Sequence, residues 1–412
     1  INISIKKQKS DCFLLDGVPG SGKTETYFQT VKACLDEGKQ ILILLPEISL
    51  TPDWEKRFYQ TFSFAPLVWH SGITNTKKKQ IWLSALNGSA GVVVGARSAL
   101  MLPISNLGLI IVDEEHEPAF KQEEGVRYNA RDMAIYKAIR SSAPIVLASA
   151  TPSLETFHNM KIGKYIHLTL PKRATGAALP DIKLIDLKLN TPERGRWISS
   201  VLINEIKSKL DNREQSLLFL NRRGYAPLTI CNSCGNKIKC VNCDTWLVEH
   251  RSQDILVCHH CGYTKRISNT CSICGVEGQI KACGPGVERI EEEINQLFPE
   301  AKLTVLSSDT MKSQKTLIKT LENIKNNKVD IIIGTQMIAK GHDFPDLKLV
   351  GIIDSDIGLS GGDLRASERS FQLLQQVSGR SGRHSINKED KGIVFLQTYD
   401  EENPIIRAIA KN

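Results

Sequence analysis

The apolar run Cys12-Phe13-Leu14-Leu15 leads directly into Gly17-Val18-Pro19-Gly20-Ser21-Gly22-Lys23-Thr24, and a helical pattern beginning Thr24-Glu25-Thr26-Tyr27-Phe28 leads out of it. No other stretch restricts the fold as strongly. The spacing G-x-x-x-x-G-K-[ST] wraps a phosphate only when a strand delivers the chain into the loop and a helix N-terminus receives it. The glycines let backbone N–H groups turn inward, Lys23 reaches the terminal phosphates, and Thr24 suits Mg²⁺. The eight residues from Gly17 to Thr24 are therefore read as a nucleotide-binding loop within a βα unit.

The surrounding sequence supports a parallel sheet. Apolar runs at Phe13–Leu15, Ile41–Leu45, Val92–Gly95, Leu109–Val112 and Ile145–Ala148 alternate with helical stretches, the pattern of an α/β fold with helices on both faces. Ligands in such sheets bind beyond the carboxyl ends of the strands. Asp113-Glu114-Glu115-His116 occupies one of those ends and Ser149-Ala150-Thr151 another. Asp113 is placed to hold Mg²⁺, usually through water, and Glu114 to orient or deprotonate the water that attacks a γ-phosphate. His116 has two readings: a link from the nucleotide to Ser149-Ala150-Thr151, or a surface histidine.

The segment from Glu117 to Asp132 has two aromatics, three cations and no core periodicity, and it begins at the acidic motif. Phe120 and Tyr128 suit stacking on bases, and Lys121, Arg127 and Arg131 suit phosphates, which makes these five candidate DNA-binding residues. The competing reading is a charged loop whose aromatics tuck onto their own domain.

From Pro171 to Trp197 periodicity weakens, as expected of a passage between domains. A second alternating series follows at Leu217–Leu220, Leu303–Leu306, Ile331–Ile333, Val350–Ile353 and Ile393–Leu396, without a second phosphate loop. Its strand ends are polar too, and in the run from Gly334 to Pro345 Gly341 and Asp343 are candidate nucleotide contacts. Gln376-Val377-Ser378-Gly379-Arg380-Ser381-Gly382-Arg383 comes later. If that stretch is helical, Arg380 and Arg383 share a face. Aimed across a cleft, they would neutralise charge developing on a transferred phosphoryl group.

Four C-x2-C pairs interrupt this second series after its first strand: Cys231/Cys234, Cys240/Cys243, Cys258/Cys261 and Cys271/Cys274. One tight turn presents two thiolates to a tetrahedral ion, so four pairs predict two closed, structural Zn²⁺ sites. Pairing is less tightly determined than ligand identity. The inner pairs enclose Thr245–Val248 and Ile255–Val257, which read as a hairpin closing one site, so a nested arrangement with the outer pairs forming the other is preferred. Cys12, Cys34 and Cys283 are read as packing residues, and His250, His259 and His260 are superfluous beside eight thiolates.

Composition enters through charge and compartment. Eleven cysteines, eight of them in these pairs, argue for metal in a reducing, cytoplasmic setting rather than for disulfides. No segment approaches eighteen consecutive apolar residues, and a membrane partner is not expected. The formal charge is +8, and two dications held by eight thiolates would take four off it, leaving about +4. That excess is compatible with nucleic acid without demanding it.

The phosphate loop, Asp113-Glu114-Glu115-His116 and Ser149-Ala150-Thr151 resemble motifs I, II and III of the superfamily 2 helicases of DEAH type, in the order those enzymes use. The cysteine-rich insertion between Asn221-Arg222-Arg223-Gly224-Tyr225-Ala226-Pro227 and Gly284-Pro285-Gly286-Val287-Glu288-Arg289 narrows the likeness to the primosomal replication-restart helicases. So do Glu123–Tyr128, Thr335–Pro345 and Gln376–Arg383. The resemblance implies two RecA-like parallel-sheet lobes with a two-zinc insertion in the second. The expected division is lobe 1 at 1–170, a linker at 171–197, lobe 2 at 198–227 and 283–412, and the zinc insertion at 228–282. It implies ATP, Mg²⁺ and two Zn²⁺ as cofactors, and 3′-to-5′ translocation on single-stranded and forked DNA in the restart of stalled forks. Other primosome proteins and single-stranded DNA-binding protein are the implied partners.

Some of the family pattern has no counterpart. The N-terminal DNA-binding region with its winged helix, the adenine-reading glutamine motif and the C-terminal domain are not found, and Pro19 replaces the usual threonine. With Ile1 as first residue, this is the pattern expected of a piece of a longer protein. Two rival expectations stand beside the helicase: a hydrolytically weak zinc-containing module that docks primosome proteins, and a translocase that does not separate strands.

Overall fold

The computed structural model describes the whole chain except residues 47–51, 222–227, 232, 235, 237, 244–246, 251–254, 259–260, 267–269, 279, 284–285, 308–310, 312–313, 340–343, 360–363, 385–390 and 412. It divides into two compact units, Ile1–Gly176 and Ala177–Asn412.

The first unit contains strands β1 (Cys12–Gly17), β2 (Gln40–Leu44), β3 (Leu67–Trp69), β4 (Val92–Gly95) and β5 (Leu107–Asp113). A short antiparallel hairpin follows, β6 (Lys121–Gln122) with β7 (Tyr128–Asn129), then β8 (Ile145–Ser149) and β9 (Ile166–Leu170). All but the hairpin form one seven-stranded parallel sheet in the order β3-β4-β2-β5-β8-β1-β9. The five apolar runs are its inner strands, buried on both faces as parallel strands covered by helices must be. Two separate apolar clusters, one on each face, hold the sheet between its helices.

β3 and β9 have no counterpart in the apolar runs because they are the sheet's edges. β9 mixes exposed and half-buried positions and interleaves His167 and Thr169 with its apolar residues, while β3, Leu67-Val68-Trp69, is apolar but only three residues long and half-buried throughout. β1, which feeds the phosphate loop, sits between β8 and the edge strand β9.

The second unit contains β10 (Asp181–Asp186) and β11 (Gln215–Phe219) before the insertion. The insertion holds β12 (Leu228–Cys231), β13 (Val248–His250), β14 (Ile255–Val257), β15 (Thr264–Arg266) and β16 (Ile280–Cys283), and β17 (Leu303–Leu306), β18 (Ile331–Gly334), β19 (Leu347–Ile352) and β20 (Ile393–Thr398) follow. A six-stranded parallel sheet has the order β10-β20-β19-β11-β18-β17. The fold is thus α/β, two RecA-like parallel-sheet lobes with a cysteine-rich insertion in the second. β10 lies within the stretch read as interdomain passage. It is an edge strand with mostly half-exposed side chains, too polar to stand out, yet it pairs with β20 along six residues.

The segment entering the second unit's first long helix is pinned from two sides. Glu293 accepts from the backbone N–H groups of Trp197 (2.9 Å) and Ile198 (3.2 Å). Gln397 accepts from Ser199 N–H and donates to the Trp197 carbonyl.

The insertion is a different kind of structure, a five-stranded antiparallel sheet in the order β15-β14-β13-β12-β16. β13 and β14 form the expected hairpin, with Val248 opposite Val257. Its buried core comprises Cys240, Leu247, Leu256 and Cys258 among the described residues. That is too little apolar burial to fold a segment of this size unaided.

Candidate nucleotide site and metal centres

The phosphate loop is shaped by glycines that no other residue can replace at two positions. Gly22 has φ +83°, in the left-handed region, at the N-cap of helix Lys23–Asp36. A Cβ on Gly17 would lie 2.4 Å from Ser21 Oγ, closer than real side chains come, and a tight 3.0 Å from Leu170 Cβ. The loop is collared from outside: Val18 N–H donates to the Leu170 carbonyl (3.2 Å) and Ala174 N–H to the Gly20 carbonyl (2.9 Å). Lys23 Nζ donates to the Gly17 carbonyl at 2.7 Å, which holds the ammonium over the loop. Ser21 Oγ is buried without a hydrogen-bond partner among the described residues, an orphaned polar atom that an incoming phosphate or its water would satisfy.

Asp113 ends β5 and is reached by the helix that follows the loop. Tyr27 of that helix donates to Asp113 Oδ2 (3.0 Å), and Glu114 N–H donates to Oδ1 (3.0 Å). Lost hydration, then the neighbouring Glu114 carboxylate, push the Asp113 carboxyl up to about 6, against the opposing pull of Lys23, Tyr27 and the Glu114 N–H. A carboxyl held this poorly as an anion gains from a dication beside it, so the donor set fits Mg²⁺.

Glu114 has φ +49°, a left-handed conformation unusual for a glutamate, of the kind strain concentrates at functional sites. Its Oε2 is buried with no hydrogen-bond partner among the described residues and lies 3.7 Å from His116 Nδ1. That leaves lone pairs for a water. His116 is buried rather than superficial: Nδ1 is 2.7 Å from Ser149 Oγ and Nε2 is 3.5 Å from Thr151 Oγ1. The ring therefore joins the end of β5 to the end of β8.

The third carboxylate of the run, Glu115, points the other way, and nothing in the sequence distinguishes it from its neighbours. It is buried and accepts from Ser153 N–H (2.7 Å), Ser153 Oγ (3.1 Å), Thr156 Oγ1 (2.9 Å) and Arg131 (3.2 Å). It anchors the strand end to helix Leu154–Lys161.

Two of the five candidate DNA contacts are corrected by this geometry. Arg131 is buried, its guanidinium paired with Glu115 and with Asp132 (2.8 Å), so it is committed to holding the fold rather than to phosphate. Phe120 is only 1% exposed and belongs to the core cluster beneath β5, because the 3-10 turn Pro118–Phe120 rotates its ring inward. Its ring has no face to offer a base. Lys121 and Arg127 are exposed and Tyr128 is half-buried against the same cluster, on the hairpin that carries all three. We expect Phe120→Ala to cost about 3–5 kcal/mol of stability. Chemical denaturation measures this; a stacking residue would leave the unfolding midpoint unchanged.

In the second unit, helix Ala366–Ser378 stops at Gly379, and both arginines fall in the turns beyond, so they do not share a helical face. Arg380 is buried and its N–H donates to the Val377 carbonyl (3.0 Å). Arg383 Nε donates to the Gly379 carbonyl (3.0 Å), and Ser381 Oγ ties the turn to Lys348 O (2.7 Å). Gly341 and Asp343 lie outside the described residues.

The eight paired cysteines gather into two groups, Cys231/Cys234/Cys271/Cys274 and Cys240/Cys243/Cys258/Cys261, with all four Sγ atoms of each within 4.8 Å of one another. This is the nested arrangement. Sγ···Sγ separations of 3.7 Å (Cys231–Cys274, Cys234–Cys271) and 3.5 Å (Cys240–Cys261, Cys243–Cys258) match the edge of about 3.8 Å of a tetrahedron with Zn–S near 2.3 Å. Backbone N–H groups of Asn242 and Ile273 point at Cys240 and Cys271, the support that stabilises thiolate charge. The donor sets fit two Zn²⁺. Cys12 and Cys34 stand apart in the core of the first unit, where burial pushes both thiols up to about 12.

Residues 3–160 match the DEAD/DEAH box helicase family and residues 269–385 the helicase conserved C-terminal domain. The deciding match is the third: residues 240–266 correspond to the PriA DNA helicase Cys-rich region domain. Nearly the whole chain is similar to the PriA helicases. It is 48% identical over 403 residues to the Replication restart protein PriA of Rickettsia conorii, covering 98% of this chain and 62% of that protein. To the PriA of Bacillus subtilis it is 41% identical, covering 97% of this chain and 49% of that protein. The chain thus spans less than two thirds of the length of these PriA relatives. Solved structures share the fold at low identity: RecG bound to a three-way DNA junction (TM-score 0.53, 16% identical, 100% of this chain and 44% of that one). The DUF1998 helicase MrfA bound to DNA is another (0.57, 12%, 100% and 50%).

Proposed function

We propose that this chain is the ATP-hydrolysing motor of a replication-restart helicase, translocating 3′ to 5′ on single-stranded and forked DNA. The observation that carries it is the meeting, in one unit of a chain similar to PriA, of a phosphate loop, a poorly solvated Asp113 and a Glu114 whose Oε2 has no hydrogen-bond partner among the described residues. Gly17 to Thr24 bind the phosphates, with Lys23 moving its charge from the Gly17 carbonyl to the nucleotide. Asp113 and Thr24 hold the Mg²⁺ that neutralises phosphate charge when bound. Glu114 orients the attacking water, and His116 conveys the state of that site to Ser149 and Thr151. Arg380 and Arg383 are the candidate carriers of transition-state charge, and Gly341 and Asp343 are further candidate nucleotide contacts.

Lys121, Arg127 and Tyr128 on the β6–β7 hairpin are the DNA contacts of the first unit that remain. The two Zn²⁺ ions are structural. Among the described residues no helix is long and apolar enough to cross a membrane, and we place the protein in the cytoplasm. Other primosome proteins and single-stranded DNA-binding protein are the partners that fit the names of the relatives. The test is steady-state ATP hydrolysis with and without single-stranded DNA: stimulation of tenfold or more is expected. Absence of hydrolysis under both conditions favours a docking module instead.

A further inference from the structure

Tyr27 lies four residues after Lys23 on helix Lys23–Asp36 and is completely buried. Its hydroxyl is 3.0 Å from Asp113 Oδ2 and 2.9 Å from Trp54 Nε1. An indole N–H can only donate, and a phenol has one proton to give. The direction of both bonds is therefore fixed: Trp54 donates to Tyr27, and Tyr27 donates to Asp113. Glu114 N–H occupies the other carboxylate oxygen, so the plane of the Asp113 carboxylate is held at both ends.

Trp54 is the far end of this chain and is itself set in aromatic packing. It is 6% exposed, stacks on Phe58 at a centroid distance of 5.4 Å and meets Phe28 edge-on at 5.6 Å. It stands in the first turn of helix Pro52–Phe62, the element that follows the carboxyl end of β2, next to β5 in the sheet. Packing alone does not require the hydroxyl, because phenylalanine fills nearly the same space. A buried phenol with both its directions used joins three separate elements at the carboxylate read here as the Mg²⁺ holder.

We propose that Tyr27 is a positioning residue: its hydroxyl fixes the Asp113 carboxylate for Mg²⁺ and relays occupation of that carboxylate to Trp54 at the head of helix Pro52–Phe62. The inference rests on the reading of Asp113 as the Mg²⁺ residue. A dication needs the Asp113 carboxylate in the orientation that Tyr27 and the Glu114 N–H hold, so occupation of the carboxylate and the Tyr27 bond reinforce one another, and because bonds in a chain polarise one another, the Trp54 bond changes with it.

The experiment uses the whole chain with its zinc and follows tryptophan fluorescence and calorimetric binding on adding ADP with Mg²⁺. The contribution of Trp54, among the five tryptophans, is the part absent from Trp54→Phe. Tyr27→Phe is expected to raise the Mg²⁺ concentration for half-maximal ATP hydrolysis about tenfold, the effect of one hydrogen bond to a charged group, with KM for ATP at saturating Mg²⁺ unchanged within about twofold. It should also erase the Trp54-dependent fluorescence change. Trp54→Phe, which leaves Tyr27 free to donate to Asp113, should keep the Mg²⁺ requirement of the parent.

A Mg²⁺ requirement unmoved by Tyr27→Phe, or raised as much by Trp54→Phe, would overturn the proposal and reduce both residues to packing. Should Tyr27→Phe fold poorly because it removes the hydroxyl that accepts from Trp54 Nε1, the double variant Tyr27→Phe/Trp54→Phe removes both polar groups together and must show the same raised requirement. Failure of the parent chain to bind ADP with Mg²⁺ in the calorimeter would instead remove the nucleotide reading on which the relay stands.

Discussion

Lys23→Ala lowers kcat for ATP hydrolysis by about 10³-fold or more, to a level that DNA no longer stimulates. The ammonium is the only side-chain charge of the loop itself, and its 2.7 Å bond to the Gly17 carbonyl places it over the site that phosphate must enter. Alanine removes the charge without touching the glycines that shape the loop or the collar from Leu170 and Ala174. The loss should therefore fall on the chemical step more than on folding, and the thermal midpoint should hardly move. Zinc content, measured by mass spectrometry on the same sample, stays at that of the parent, since the cysteine clusters belong to the other compact unit. A variant that lost zinc along with activity would mean that the two units do not fold independently.

Removal of zinc has the opposite signature. Each all-sulfur site supplies of the order of 10 kcal/mol of folding free energy, and among its described residues the insertion has a buried core cluster of four, Cys240, Leu247, Leu256 and Cys258, to set against its chain entropy. Exposure to a strong chelator, or Cys258→Ala at a fully buried ligand, is expected to unfold the segment between β12 and β16. Limited proteolysis should then cut within it, while binding of ADP with Mg²⁺ by the first unit persists. A protease pattern indifferent to the chelator would show that the thiols, not an ion, hold the sheet together.

Much of this was legible in the residues, for identifiable reasons. The inner strands of both sheets are buried on two faces and read as unbroken apolar runs, and the phosphate loop and the C-x2-C pairs are local spacings that need no tertiary knowledge. The nested cysteine grouping was legible because the inner pairs bracket a hairpin. What escaped is tertiary. β9 and β10 are edge strands whose polar positions dilute their apolar content, and β3 is an edge strand of only three residues, Leu67-Val68-Trp69.

Phe120 sits amid polar residues, and only the turn at Pro118 decides that its ring enters the core. Arg131 resembles the exposed cations near it, but its partner Glu115 lies sixteen residues earlier and is visible only once β5 and the helix that Arg131 opens are brought together. The Trp54–Tyr27–Asp113 chain spans 86 residues between the two ends of its second bond, and neither aromatic differs in sequence from an ordinary core residue.

The central claim is that this chain converts ATP hydrolysis into directed movement that separates DNA strands. It is tested most directly by strand separation on two otherwise identical duplexes, one with a 3′ single-stranded tail and one with a 5′ tail, in the presence of ATP and Mg²⁺. Unwinding of the 3′-tailed duplex alone, absent in Lys23→Ala, is the predicted result. DNA-stimulated hydrolysis with neither duplex opened would make the chain a translocase without strand separation, and opening only of the 5′-tailed duplex would contradict the direction assigned to it.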